Sequence, residues 1–167
     1  NGKTIGIIGK GSIGLKVAKL SKAFGMKVSF LSAQNLKKSN LNKFLKEIDI
    51  LTIHCPLNKN TENLISLKEL KLMKQDSIII NTARGGIVNE RDLVHALNKK
   101  IISAAGIDVT TMEPPKKTHP YYRIINSPNF IWTPHTAWAS DETLKNALDQ
   151  LIENINAYYL GKPKNLV

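Results

Sequence analysis

An open, doubly wound α/β sheet of parallel strands is the fold class this sequence predicts, and three observations predict it. Short strand-like segments alternate with helical stretches along the whole chain. Some of those segments, such as Asp76-Ser-Ile-Ile-Ile-Asn81, are apolar throughout their middle, the pattern of a strand covered on both faces. The first of them runs directly into Gly9-Lys10-Gly11-Ser12-Ile13-Gly14, a G-x-G-x-x-G spacing set between a strand and a helix start.

Each element follows in order. Residues 4–8 form the first strand and 12–25 the first helix, with Val17, Ala18, Leu20, Ser21 and Phe24 as its packing face and Gly25 as its end. In the turn between them, Gly9 permits a tight bend, and Gly11 keeps a Cβ out of the path of a pyrophosphate. Gly14 lets the helix pack closely. Free N–H groups at the helix start, with the positive end of the dipole behind them, favour phosphate, so the unit reads as a Rossmann-type dinucleotide-binding domain. Lys27-Val-Ser-Phe-Leu31 is the second strand, 40–46 a short helix and 48–53 the third strand, closed by His54-Cys55-Pro56-Leu57. A polar loop over 58–63 leads to a helix near 66–72 and to the fourth strand, 76–81, which ends in Thr82-Ala83-Arg84-Gly85-Gly86. Helix 90–98 takes Asn89 as its N-cap. Strand 103–108 precedes a basic, Pro-rich loop that opens at Met112-Glu113-Pro114-Pro115 and reaches about residue 128. A last strand, 129–132, runs into Thr133-Pro-His-Thr-Ala-Trp138. Helix 141–159 closes the chain, with Leu144, Ala147, Leu148, Leu151, Ile155 and Tyr158 on one stripe. Residues 1–160 are expected to form the dinucleotide-binding domain and 161–167 a polar tail.

Length and composition bound the function. The 167 residues suit one domain with a sizeable core, and an apolar content of 42% without a long apolar span is expected of a soluble, cytoplasmic protein with no membrane partner. The net charge of +11 comes from 21 Lys and only 3 Arg, scattered along the helices. Nucleic-acid binding calls for Arg clusters or stacking aromatics, so no nucleic-acid partner is expected. The single Cys55 excludes an internal disulfide, and no metal is expected. A chain that begins Asn1-Gly2 fits an excised domain better than a complete gene product.

In a sheet of this class ligands bind beyond the carboxyl ends of the strands. Gly11, Ser32, Cys55-Pro56, Arg84, Asp108 and His135 all fall there. Arg84, after a buried strand and before two glycines, suits a bidentate grip on a carboxylate, a structural ion pair being the other reading. His135 can give and take a proton at physiological pH, and Glu113, set against it, would orient the ring and raise its pKa. Asp108 ends a buried strand and needs donors, from a nicotinamide, a ribose or backbone N–H groups. His54, His95 and His119 have no comparable setting and read as structural.

With these residues assembled, the sequence resembles the D-isomer-specific 2-hydroxyacid dehydrogenases. The resemblance runs from Gly2-Lys3-Thr4 to Gly161-Lys162-Pro163. It is strongest at His54-Cys-Pro-Leu57, Asn81-Thr-Ala-Arg-Gly-Gly86, Gly106-Ile-Asp-Val109 with Glu113-Pro114, and Thr133-Pro-His-Thr-Ala-Trp138. Trp138 is closer in look to the glycerate dehydrogenase (hydroxypyruvate reductase) branch than to the phosphoglycerate branch. The resemblance implies hydride transfer between NAD or NADP and a small 2-keto or 2-hydroxy acid: hydroxypyruvate or glyoxylate on one side, D-glycerate or glycolate on the other. It implies that Arg84 binds the substrate carboxylate and polarises the carbonyl, that His135 is the acid/base, and that Glu113 is its partner acid. Gly9, Gly11, Ser12, Ile13 and Gly14 would then hold the pyrophosphate. Ser32, Cys55, Pro56, Thr82, Ala83, Arg84, Asp108, His135 and Ala137 would line the rest of the cofactor site.

Two departures stand out. Ser32 occupies the place where NAD-using members carry Asp, which removes both a ribose acceptor and the repulsion against a 2′-phosphate, and Lys37 and Lys38 lie just downstream. Cofactor choice is therefore expected to be relaxed, with NAD ahead. The family's proteins also run to about twice this length, their larger substrate-domain segment preceding this one, so the chain alone is expected to bind cofactor and turn over poorly. A homodimer in the full-length protein is expected from the family. Two other readings are a dinucleotide-sensing, corepressor-like module, which would not need Arg84, Glu113 and His135, and a formate dehydrogenase relative, whose Asn- and Gln-based site is not found here.

Overall fold

The apolar segments become six strands: β1 (Thr4–Ile8), β2 (Lys27–Leu31), β3 (Ile50–Ile53), β4 (Ile78–Asn81), β5 (Ala104–Ile107) and β6 (Phe130–Trp132). The computed structural model describes residues 2–32 and 36–166; Asn1, residues 33–35 and Val167, the end of the expected tail, lie outside the described residues. All neighbouring strands are parallel, in the order β2-β1-β3-β4-β5-β6. The winding direction reverses between β1 and β3, which opens a crevice at their carboxyl ends.

Four strands are shorter than the sequence pattern predicts, chiefly at their starts. The two residues before β3 are Ile48, which ends a helix and is fully buried, and Asp49, whose carboxylate accepts the Thr4 N–H at 2.7 Å and the Lys74 ammonium at 2.8 Å. Asp76, before β4, pairs with Lys3 at 2.8 Å on the surface. These residues tie the amino edge of the sheet together instead of extending the ladder. The paired charges hold the Asp49 carboxyl below its ordinary range, with the hydrogen bond from Lys74 the largest cause and the Thr4 amide the next.

The helices are α1 (Ser12–Ala23), α2 (Lys38–Glu47), α3 (Leu67–Leu70), α4 (Glu90–Asn98) and α5 (Asp141–Tyr159). α1 stops two residues early, at Phe24, and its buried residues are Gly14, Ala18 and Ser21. Val17 is only half-buried, beside Ile5, Ile7 and Ala18, while Leu20 and Phe24, expected in the packing face, are exposed. The small residues at i, i+4 and i+7 let the helix axis approach β1, and that rotates the larger side chains outward. α2 is longer than expected and buries Leu41, Phe44 and Leu45. α3 is a single turn, shorter than the expected 66–72, entered where the Ser66 N–H donates to the Glu69 carboxylate. α4 has the expected limits, with Asn89 accepting the Asp92 N–H at 3.1 Å, and α5 likewise, with Ser140 accepting from Thr143.

Two compact units are formed, residues 1–134 and 135–167. The first holds a core centred on Leu45, Leu51, Ile53, Ile65, Leu70, Ile79 and Leu93, all fully buried. In the second, α5 carries its apolar stripe exposed, including Leu148, Leu151 and Ile155. No described helix is long and apolar enough to cross a membrane.

Candidate functional site

The parallel ladder continues one residue beyond β1, β3, β5 and β6. Gly9 N–H donates to Leu31 O (3.0 Å), His54 N–H to Ile8 O (2.8 Å), Asp108 N–H to Asn81 O (3.0 Å) and Thr133 N–H to Ile107 O (3.0 Å). The loops that carry the candidate residues of the first unit therefore leave the sheet at one level.

At the crevice Gly9 has φ +106°, and a Cβ there would lie 2.3 Å from the His54 carbonyl oxygen, so the β1 and β3 loops meet backbone to backbone. A Cβ on Gly14 would lie 2.2 Å from the Gly9 carbonyl oxygen, which makes the turn as tight as the spacing requires. Gly11 differs: among the described residues, its own chain neighbours aside, nothing lies within 4 Å of its missing Cβ. It is the N-cap of α1 and supplies no side chain, and no acid sits in the first turn of the helix. Ser12 and Ile13 are exposed beside it. The open cradle, the uncapped N–H groups and the absence of a carboxylate fit a diphosphate.

Ser32 follows β2, half-buried, and Lys37 and Lys38 are exposed at the start of α2, which has neither a side-chain cap nor an acid in its first turn. Cys55 is buried in the main core, and burial pushes its thiol up, so it stays protonated at neutral pH. Pro56 is exposed next to it. His54, expected to be structural, hydrogen-bonds the Thr52 hydroxyl at 2.9 Å, and burial lowers its pKa, keeping it neutral.

After β4 the buried Asn81 side chain shapes the loop: its amide donates to Arg84 O (2.9 Å) and its oxygen accepts the Ala83 N–H (3.0 Å). Thr82 is exposed and Ala83 half-buried. The Arg84 side chain is exposed, with Nη1 donating to Ala83 O at 2.7 Å, and among the described residues no carboxylate pairs with it. The structural ion pair left open above is thus not formed among them. After β5, Asp108 is buried and accepts from the Thr133 hydroxyl at 2.5 Å. Glu113 is exposed and accepts the Thr110 N–H at 2.9 Å.

His135 and Ala137 belong to the second unit. His135 adopts φ +55°, the left-handed region that costs a non-glycine residue energy and that clusters at functional positions. Its carbonyl accepts the Trp138 indole N–H at 2.9 Å, and Thr136 O accepts the Ala139 N–H at 3.0 Å. Ala137 is exposed. Among residues given no role by the sequence, Asn81, Thr133, Glu90 and His119 stand out for their bonds to these loops. Asn81 and Thr133 lie inside the quoted motifs, and that position was the available signal.

Residues 1–137 match the family described as D-isomer specific 2-hydroxyacid dehydrogenase, NAD binding domain. The chain is 44% identical over 167 residues to a glycerate dehydrogenase of Methylorubrum extorquens, covering 99% of this chain and 53% of that protein. It is similar to the NAD-complexed D-isomer specific 2-hydroxyacid dehydrogenase of Lactobacillus delbrueckii ssp. bulgaricus, with a TM-score of 0.88 and 30% identity over 99% of this chain and 56% of that one. An acyclic imino acid reductase solved with NADPH and D-Arg gives a TM-score of 0.83 and 38% identity over 99% and 53% of the two chains. The chain spans about half the length of the curated relatives it matches. By sequence and by fold, it belongs to the D-isomer specific 2-hydroxyacid dehydrogenase family, within that family's NAD-binding domain.

Proposed function

We propose that this chain forms the cofactor half of an enzyme that interconverts a small 2-keto acid and its 2-hydroxy acid, with hydroxypyruvate or glyoxylate as the keto acid. Similarity to a glycerate dehydrogenase favours hydroxypyruvate. Bound NADH or NADPH supplies the hydride. Gly9, Gly11, Ser12, Ile13 and Gly14 hold the diphosphate, and Ser32 faces the adenosine ribose, with Cys55, Pro56, Thr82, Ala83, Asp108 and Ala137 around the remainder. Arg84 grips the substrate carboxylate and polarises the carbonyl. His135 gives its proton to the carbonyl oxygen in reduction and takes it back in oxidation, while Glu113 stabilises the protonated ring. The observation that carries this reading is the exposed Arg84 guanidinium at the carboxyl edge of the sheet, with no carboxylate partner among the described residues.

Calorimetric titration of the chain with NADH and with NADPH tests the cofactor assignment. Both are expected to bind, NADH more tightly, and Ser32→Asp is expected to widen the NADH preference by restoring an acceptor that repels a 2′-phosphate. An unchanged affinity ratio in that variant would remove Ser32 from the site. In the full gene product that carries this sequence, Arg84→Gln is expected to lower kcat/KM for hydroxypyruvate by roughly 100-fold or more while leaving NADH affinity in place. The 167-residue chain alone is expected to bind cofactor with little turnover.

A further inference from the structure

Arg84 and Glu113 sit on different loops, and the structure contains a specific device that holds those loops in register. Gly85 makes it possible: a Cβ there would lie 2.0 Å from the Thr110 carbonyl carbon, so the loop after β4 rests directly on the backbone after β5. Glu90, at the start of α4, then gathers the second loop. One of its oxygens accepts the Thr111 N–H at 2.7 Å, and the other accepts the Thr111 hydroxyl at 3.0 Å and His119 Nε2 at 2.8 Å. His119 Nδ1 accepts the Tyr121 N–H at 3.3 Å, so the ring proton lies on Nε2 and points to Glu90. The imidazole is wedged between Trp132, stacked at 5.5 Å, and Tyr121, edge-on at 4.9 Å. Both partners are nearly covered, with side-chain exposures of 12% for Glu90 and 7% for His119. One residue before Thr111, Thr110 donates its N–H to the Glu113 carboxylate at 2.9 Å.

A near-buried carboxylate held by an imidazole is a poor device for stability, because desolvation offsets much of the attraction, and an apolar pair of equal size would serve as well. An apolar pair would not, however, hold the Thr111 N–H and hydroxyl at fixed points. We propose that Glu90 and His119 are positioning residues for Glu113: through Thr111 and Thr110 they set where its carboxylate stands. Arg91 and Lys116 are the other charged residues that line the same cleft of about 520 Å³.

This rests on Glu113 being the partner of the acid/base His135. The test is the pH dependence of kcat/KM for hydroxypyruvate reduction by the full gene product, with melting temperature and NADH affinity recorded for each variant. On the proposed reading the proton for reduction comes from His135, so the rate is expected to fall at the alkaline end. Glu113→Gln is expected to move that alkaline fall down by about one pH unit or more. Glu90→Gln is expected to move it in the same direction by a smaller amount, with NADH affinity unchanged within about twofold. If Glu90→Gln lowers the rate equally at every pH, or lowers only the melting temperature, the pair is structural and the proposal is wrong. If Glu113→Gln itself leaves the fall in place, the reading of Glu113 is wrong and the proposal goes with it. Should Glu90→Gln not melt cooperatively, Thr111→Val, at an exposed residue, removes one bond to Glu90 and is read by the same shift, whose absence overturns the proposal.

Discussion

The two units of this chain use apolar residues in opposite ways. In residues 1–134, Ile7, Ile8, Leu51, Ile53, Ile79 and Leu93 are wholly withdrawn from solvent. In residues 135–167, Leu148, Leu151, Ile152 and Ile155 are each more than half exposed, and among the described residues of that unit only Ala157 is classed as buried hydrophobic. Both stretches carry many apolar residues, and what separates them is the presence of a second layer. A strand with helices on its faces is satisfied within its own unit, whereas a 19-residue helix with one apolar stripe holds its side chains ready for a surface that its own unit does not supply.

That contrast can be broken or sharpened by substitution. Ile79→Ala, in the middle of the buried sheet, is expected to destabilise the chain by about 2–5 kcal/mol in urea or thermal unfolding; a loss below about 1 kcal/mol would mean the first unit is far looser than its burial implies. Gly85→Ala is expected to cost about 1–3 kcal/mol, because its Cβ would overlap the Thr110 backbone and force two loops apart. It should also weaken turnover in the full gene product by more than its stability loss accounts for. Asp49→Asn is expected to matter only above acid pH. The folded Asp49 carboxyl lies below its unfolded value of about 3.9, so its contribution is present above that value and is lost as pH falls through the folded pKa. Wild type and variant should therefore differ in melting temperature at pH 7 and converge at the acid end. Smallest of all, Leu151→Ala on α5 is expected to change the unfolding free energy of this chain by no more than about 0.5 kcal/mol. A loss of several kcal/mol there would show that the stripe is covered in solution.

Sequence reading went furthest where a local rule and the global fold demanded the same residue. Gly9 is needed for the tight turn that the spacing predicts, and the structure adds a second need, the approach of the His54 backbone. The alternation of elements, Asn89 as a cap and the limits of α4 and α5 follow from periodicity and side-chain chemistry alone. The strand starts did not, because Asp49 and Asp76 continue an apolar run in sequence while being held by Lys3 and Lys74 from distant positions. On the inner face of α1, Ala18 and Ser21 are buried as expected, whereas Leu20 and Phe24 are exposed, because the pattern weights size over closeness and the helix packs through Gly14 as well. Of the site, Arg84 and Asp108 stood out by ending buried strands. Glu90 and His119 did not, since their meaning lies in a contact across 29 positions that no short pattern carries.

The backbone contact between Gly9 and His54 has one more consequence. It fixes the width of the crevice by main-chain atoms, on the β3 side of β1, whereas Ser32 stands at the end of β2 on the other side. The two features can therefore change independently. On the proposed reading, in which Ser32 faces the adenosine ribose, exchanging the side chain at position 32 would change the nucleotide accepted without disturbing the cradle, because the Gly9 and His54 loops meet backbone to backbone.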